Sequence, residues 1–202
     1  MLFIGIEGDI GAGKTTAIAH LKATFARDCR IAFVDEPVAE WERLGLLDGV
    51  YGGGLSKGTF QHHALMSRIG PVARAFRDGA SVVISERSPL TDADVFARTN
   101  LSGLEFTAYR ATYDKIMDVL PPAIEWRFVF LEAPLGTLLA RISARGRAAE
   151  AAVDAEYVRA LQRAHAAFAT VQQHRLRKVD ASRSATDVAH DVEVAVRTFL
   201  GD

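Results

Sequence analysis

An apolar run, Leu2-Phe3-Ile4-Gly5-Ile6, leads at once into Gly8-Asp9-Ile10-Gly11-Ala12-Gly13-Lys14-Thr15, and a helix-like stretch follows from Thr16 to Phe25. This is the spacing of a phosphate-binding loop in the setting that gives the motif its meaning: strand, glycine-rich turn, helix start. Glycines let the backbone curl until successive N–H groups converge on one anion, and the helix N-terminus adds the positive end of its dipole. Residues Gly8 to Thr16 are thus expected to cradle a nucleoside triphosphate, ATP in the simplest case. Lys14 reaches the outer phosphates, and the Thr15 hydroxyl can hold Mg²⁺. A solvated glycine turn ahead of an ordinary helix is the bland alternative, and the intact strand and helix on either side argue against it.

The loop commits the rest of the chain to an α/β design. Short β-like runs alternate with longer helical ones, which predicts a parallel sheet covered on both faces. The strands are expected at Leu2–Ile6, Ile31–Val34, Ser81–Ser85, Arg127–Leu131 and Leu176–Val179, several of them apolar without alternation. Helices are expected after the loop and near Phe60–Arg77, Asp92–Arg98, Leu104–Val119, Leu135–Ala144, Asp154–His174 and Ala185–Phe199. Pro121-Pro122 ends one helix, Pro71 should kink or break another, and Gly49–Gly54 reads as a mobile loop.

With 202 residues the chain fits a single domain, 1–202, and no repeat or linker divides it. The formal net charge of −1 gives no global field toward nucleic acid or an anionic membrane. No apolar run approaches the ~20 residues of a membrane span. The loop strand starts at Leu2, so no signal peptide is expected, and the one cysteine, Cys29, suits a reducing, cytoplasmic setting. Cys29 itself is expected to be a small buried apolar residue.

Ligands in such folds sit at the carboxyl ends of the strands. Glu36 follows the second strand there, with Pro37 unable to extend the ladder. It can take a proton from an attacking hydroxyl, or it can simply be a helix-start carboxylate stabilised by the dipole. Trp41, five residues on, either walls a pocket for a planar ligand or belongs to the core. Glu86-Arg87-Ser88 ends the third strand: Glu86 stands where an acid meets the metal, Arg87 where a cation meets the transferring phosphoryl, and Ser88 caps the next helix. Arg141, Arg145 and Arg147 close a helix and run into a glycine turn, which suggests an arginine-rich lid over about residues 141–152. Their alternative is basic residues favoured at a helix C-terminus. Gln61 and Arg68 lie about two helical turns apart and share a face, and a glutamine amide matches the Watson–Crick edge of a base. His62 and His63 lack metal-ligand spacing.

Together these residues resemble the deoxyribonucleoside kinases, including deoxycytidine and deoxyguanosine kinases, the insect multisubstrate enzyme and, more distantly, herpesviral thymidine kinases. Six segments in order carry the resemblance: IEGDIGAGKTT, DEPVAEW, TFQHHALMSRI, ERSPLTDADVF, LEAP and RISARGRAAE. They cover most of the first 150 residues, and the last fifty match only in helical pattern. The resemblance implies a P-loop kinase fold with a five-stranded parallel sheet and an arginine lid. It also implies phosphorylation of the 5′-hydroxyl of deoxyribonucleosides by ATP with Mg²⁺, and a homodimer.

Position by position, the resemblance implies Glu36 as general base, Arg87 beside the 5′ oxygen, Lys14 on the phosphates and Glu86 at the metal with Thr15. Gln61 looks like the amide that pairs with the base, and Phe60, Phe96 and Trp41 like its aromatic walls. Arg141, Arg145 and Arg147 look like lid arginines. Glu150 looks like the acid that holds the sugar 3′-hydroxyl, with Tyr51 beside it at a spacing one residue short of the usual pattern. Arg68 and Asp92 match an Arg/Asp pair of deoxycytidine and deoxyguanosine kinases. A carboxylate at Asp92 would accept from an exocyclic amine and oppose the carbonyl of thymine, which favours amino-bearing bases; the alternative is a salt bridge between Arg68 and Asp92 with no ligand contact. Asp9 departs from the proline or asparagine frequent in relatives.

Two other readings compete. Thymidylate kinases share the loop and lid, but their acceptor is a phosphate, which Glu36 would repel. A non-catalytic nucleotide-binding module would not need Glu36, Glu86 and the lid arginines together.

Overall fold

The computed structural model describes residues 1–147, 150 and 153–201. Five parallel strands form one sheet: β1 (Leu2–Gly8), β2 (Ile31–Val34), β3 (Val82–Glu86), β4 (Glu125–Glu132) and β5 (Leu176–Asp180), in the spatial order β2-β3-β1-β4-β5. All five expected strands are present: β2 has the expected bounds, β3 is shifted by one residue, and β1, β4 and β5 run one to three residues longer. β1 lies at the centre with β3 and β4 on either side, so the chain order reverses at β1 and opens a crevice beyond its end.

Helices cover both faces because side chains alternate across the sheet. Ile4, Ile6, Ile84, Val129 and Leu131 pack on one face with Ile18 and Leu21 of α1 (Lys14–Thr24). Leu138 and Ile142 of α8 (Leu135–Arg145) and Val192 of α10 (Ala185–Leu200) join the same cluster. Phe3 and Val83 point the other way, against Leu65 and Ile69 of α4 (Lys57–Arg77) and Tyr109 of α7 (Gly103–Met117). Between β2 and α4 lie two short helices, α2 (Val38–Arg43) and α3 (Leu46–Tyr51). After β3 come α5 (Pro89–Thr91), a π-helical turn over Asp92–Ala97 and α6 (Arg98–Asn100), and α9 (Ala155–Val171) precedes β5.

Register aligns the chemistry. Ile6 of β1 pairs with Glu86 of β3, and Val34 of β2 pairs with Ser85. The residues just past β2 and β3 therefore emerge beside the loop that follows β1. That loop hugs the sheet: a Cβ on Gly8, at φ 141°, would lie 2.6 Å from the Leu131 carbonyl oxygen. One on Gly11, at φ 83°, would lie 2.9 Å from the Leu138 carbonyl oxygen. Only glycine fits either position.

Three local expectations need correction. Pro71 does not break α4, which runs unbroken from Lys57 to Arg77. The helix is held from both sides of the proline, with Leu65, Ile69, Val72 and Phe76 all buried, and this packing outweighs one missing backbone bond. Gly49 to Tyr51 are helical within α3, where Gly49 N–H donates to the Gly45 carbonyl; the turn begins only at Gly52. Cys29 is exposed, because it falls in the turn between α1 and β2. Ser88 does cap α5, sharing a reciprocal capping box with Thr91.

Candidate active site

The crevice at the strand ends is a cavity of about 470 Å³ that joins the phosphate loop, the second-strand acid and the lid arginines. Residues Ile10 to Ala17 form its floor, and Glu36, Trp41, Tyr51, Phe60, Gln61, Arg68, Glu86, Arg87, Phe96, Arg141, Arg145, Arg147 and Glu150 reach it as well. Of the residues singled out from sequence, Gly8, Asp9 and Asp92 do not line it. Ala148, Ala149, Ala151 and Ala152, within the expected lid, lie outside the described residues.

Lys14 is buried and donates to the Gly8 and Asp9 carbonyl oxygens at 3.1 and 2.9 Å. Burial and the neighbouring Arg87 lower its pKa to about 8, against the pull of Glu86, Glu36 and Asp9. Thr15 donates its hydroxyl to Glu86 Oε1 at 2.9 Å. Burial pushes the Glu86 carboxyl up, Lys14 draws it down and Glu36 adds to the rise. Asp9 turns its side chain away from the loop cradle, to His165 Nδ1 on α9 at 2.8 Å.

Glu36 sits between two guanidinium groups. It accepts from Arg68 Nη2, and Arg87 Nε lies 3.1 Å away. Burial alone would raise its pKa, but Arg87, Arg68, Lys14 and the Arg68 hydrogen bond bring it down to about 2. Arg87 also donates to the Gly8 carbonyl at 2.9 Å, which ties the acid to the phosphate loop. Its φ of 68° is the one left-handed value at a non-glycine among the described residues. Strain of this kind costs about 1–3 kcal/mol and persists where surrounding contacts demand it.

Aromatic rings line the far end. Trp41 and Phe60 meet edge to face at 5.3 Å, and the Arg68 guanidinium lies 5.2 Å from the Trp41 ring and 5.7 Å from Phe96. Arg87 stacks on Phe96 at 4.4 Å. The buried Asp92 stands behind this wall and takes Gln61 Nε2 at 2.6 Å, the Tyr109 hydroxyl at 2.8 Å and Arg68 Nη1. At the lid, Arg145 forks onto Glu150 with bonds of 2.6 to 3.1 Å, and Arg147 contacts both Glu150 and Glu42. Arg141 donates to the Ala181 carbonyl at 2.8 Å.

Sequence reasoning missed part of the wall. Asn100 and Tyr157 line the cavity, as do Ala181 just after β5 and Ala185, Val188 and Ala189 at the start of α10. Ordinary alanines and valines carry no signal of this kind. Asn100 donates to Gln61 Oε1 only across 3.5 Å.

A glycine loop, a lysine and a strand-end acid, joined in one cavity to an aromatic slot, define a P-loop phosphotransferase whose acceptor is not itself highly anionic. The deoxynucleoside kinase family profile matches residues 4–200. Protein 143R of Invertebrate iridescent virus 6 is 28% identical over 203 residues, covering 99% of each chain. Deoxycytidine kinase of Homo sapiens is 30% identical over 193 residues, covering 80% of this chain and 73% of its own. Deoxyadenosine kinase from M. mycoides, solved with bound dCTP, has the same fold, with a TM-score of 0.72 at 20% identity over 97% of this chain and 99% of that one. The chain belongs to the deoxynucleoside kinase family. It is a kinase that uses a nucleoside triphosphate donor. No helix among the described residues is long and apolar enough to cross a membrane.

Proposed function

We propose that this kinase transfers the γ-phosphoryl group of ATP to the 5′-hydroxyl of a deoxyribonucleoside and favours amino-bearing bases, deoxycytidine, deoxyadenosine or deoxyguanosine. The observation that carries the reading is Glu36: a carboxylate in the cavity of the phosphate loop, clamped by Arg68 and Arg87. An incoming phosphate would meet that charge at close range, whereas a hydroxyl can donate to it.

In this reading ATP lies on residues Gly8 to Thr16, and Lys14 exchanges its two carbonyl partners for phosphate oxygens. The nucleoside occupies the aromatic slot of Trp41, Phe60 and Phe96, with its base against Gln61. Glu36 accepts the 5′-hydroxyl proton, Arg87 holds the attacking oxygen near the loop, and Glu150 with Tyr51 meets the 3′-hydroxyl. Because its pKa is about 2, Glu36 is ionised before substrate arrives and acts first by aiming the hydroxyl. Phosphoryl transfer has a loose transition state, so such positioning and the arginine charges carry most of the catalysis.

The Thr15 hydroxyl and Glu86 carboxylate fit Mg²⁺: they are adjacent hard oxygen donors facing the phosphate position. A cation there would be held largely by phosphate oxygens and water, with few protein ligands. When bound, the ion supplies charge neutralisation at the phosphates. Arg145 and Arg147, paired with Glu150 here, would turn to ATP when the lid closes.

The test is a panel of the four deoxynucleosides and thymidine monophosphate with ATP, read by chromatography of the products. Monophosphates formed from amino-bearing nucleosides are expected, and a marked preference for thymidine monophosphate would overturn the reading.

A further inference from the structure

The phosphate loop is fastened from a side that the proposed chemistry does not use. His165 lies on the buried face of α9 with Val158, Leu161 and Phe168, and is itself wholly buried. Its Nδ1 meets Asp9 Oδ1 at 2.8 Å. A carboxylate oxygen only accepts, so Nδ1 carries the proton and donates. Nε2 has no hydrogen-bond partner among the described residues, and the rings of Phe96 and Phe130 stand 5.8 and 5.7 Å from the imidazole. Burial lowers the His165 pKa against the pull of Asp9, which favours the neutral ring. An apolar side chain would fill this place without stranding a nitrogen, so the imidazole contributes through Nδ1. Asp9, at the other end of that bond, is where the loop turns. Its carbonyl oxygen accepts from the Ala12 N–H at 3.2 Å and from Lys14 Nζ at 2.9 Å. Arg87 secures the preceding Gly8 carbonyl from the end of β3, and His165 secures Asp9 from α9.

We infer that His165 is a positioning residue for the phosphate donor: through the Asp9 carboxylate it holds the first turn of the phosphate loop in its cradle shape before the triphosphate arrives. Neither His165 nor Asp9 lines the cavity, so the pair acts on the donor through the loop backbone and not by contact. When Lys14 leaves the Asp9 carbonyl for a phosphate oxygen, the Ala12 bond and the His165 bond still hold the turn. The inference rests on the reading that ATP lies on Gly8 to Thr16, and it is independent of which base is preferred.

Titration calorimetry with a non-hydrolysable ATP analogue gives a Kd that does not depend on the folded fraction. A loop that holds its cradle shape roughly one tenth of the time binds about tenfold more weakly, and loss of a hydrogen bond to a charged group is large enough to do this. His165→Leu removes the donor but keeps the pocket filled, so Kd should rise about tenfold. His165→Asn places an amide N–H near the Nδ1 position and should stay within about threefold of wild type. A histidine that merely packs would give the opposite order, because leucine suits Phe96 and Phe130 better than an amide does. Asp9→Ala should match His165→Leu, and the double variant should be no weaker than either, since both cut the same bond. KM for deoxycytidine should move by less than about twofold in Asp9→Ala. If His165→Leu does not fold, Asp9→Ala against Asp9→Asn, which retains an accepting oxygen, carries the same comparison. An unchanged Kd in His165→Leu, weaker binding in His165→Asn than in His165→Leu, or equal losses for donor and nucleoside in Asp9→Ala overturns the inference alone. A wild-type chain that does not bind the analogue overturns the reading of the loop as the donor site, and this inference with it.

Discussion

Replacing Glu36 with glutamine probes the acceptor site with the least disturbance. The amide preserves size and one acceptor oxygen, and removes the charge that Arg68 and Arg87 share. Structural damage should be limited. Arg68 keeps Asp92 and Arg87 keeps the Gly8 carbonyl, so neither guanidinium is stranded, and the loss stays below the ~3–5 kcal/mol of a broken buried pair. Chemistry should suffer far more, since a lost general base costs roughly 10²–10⁴ in rate, or ~3–5.5 kcal/mol of barrier. Lys14 contacts loop carbonyls and not Glu36, so the affinity for ATP near neutral pH should change by less than about threefold, or ~0.7 kcal/mol. ADP release at saturating deoxycytidine gives kcat, and titration with a non-hydrolysable ATP analogue gives donor affinity. Turnover close to wild type with intact donor binding would refute the assignment. Equal losses of turnover and donor affinity would refute the separation of the two subsites.

Other expectations follow from the same geometry. Lys14 titrates at about 8 when free but must be charged on phosphate, so ATP binding at pH 8 should take up about half a proton, and affinity should weaken as pH rises further; calorimetry in buffers of different ionisation enthalpy reads this directly. Glu36 has its pKa lowered to about 2, so its charge contributes stability above the ordinary carboxylate value of 4.5 that is lost as pH falls toward 2. A kcat profile showing an acid limb above 4.5 would have to come from another group. Glu150→Gln should raise KM about tenfold or more for a nucleoside bearing a 3′-hydroxyl and little for its 3′-deoxy analogue. Gly8→Ala forces a Cβ against the Leu131 carbonyl at 2.6 Å, and a melting temperature lower by roughly 3–10 °C is expected, with weakened ATP binding.

What the sequence shows and hides follows from the range of the interactions involved. The phosphate loop and the five strands were legible because each is a local pattern of apolar runs and glycines. The strand-end rule then placed Glu36, Glu86 and Arg87 together, and the register confirms their neighbourhood. Pro71 misled because a long-range apolar stripe on α4 outweighs one absent N–H. Asp92 was read either as a contact to the base or as a salt bridge without one; its partners come from α4 and α7, and only the fold shows that they enclose it. The lid arginines were read as facing ATP, and the pairing of Arg145 and Arg147 with Glu150, five and three residues on, emerges only in the fold. Asn100 and Tyr157 carried no motif at all. Their place on the wall depends on how α6 and α9 pack around the π-helical turn at Asp92–Ala97.

The claim beneath all of this is that the carboxylate after β2 aims a sugar hydroxyl at the terminal phosphorus of ATP. Phosphorus NMR of a reaction containing ATP and deoxycytidine follows that phosphorus to its destination. A new monophosphate resonance split by the two 5′ methylene protons, growing in step with ADP, is the expected spectrum. Free phosphate in its place, or a diphosphate formed only when thymidine monophosphate is supplied, would contradict it.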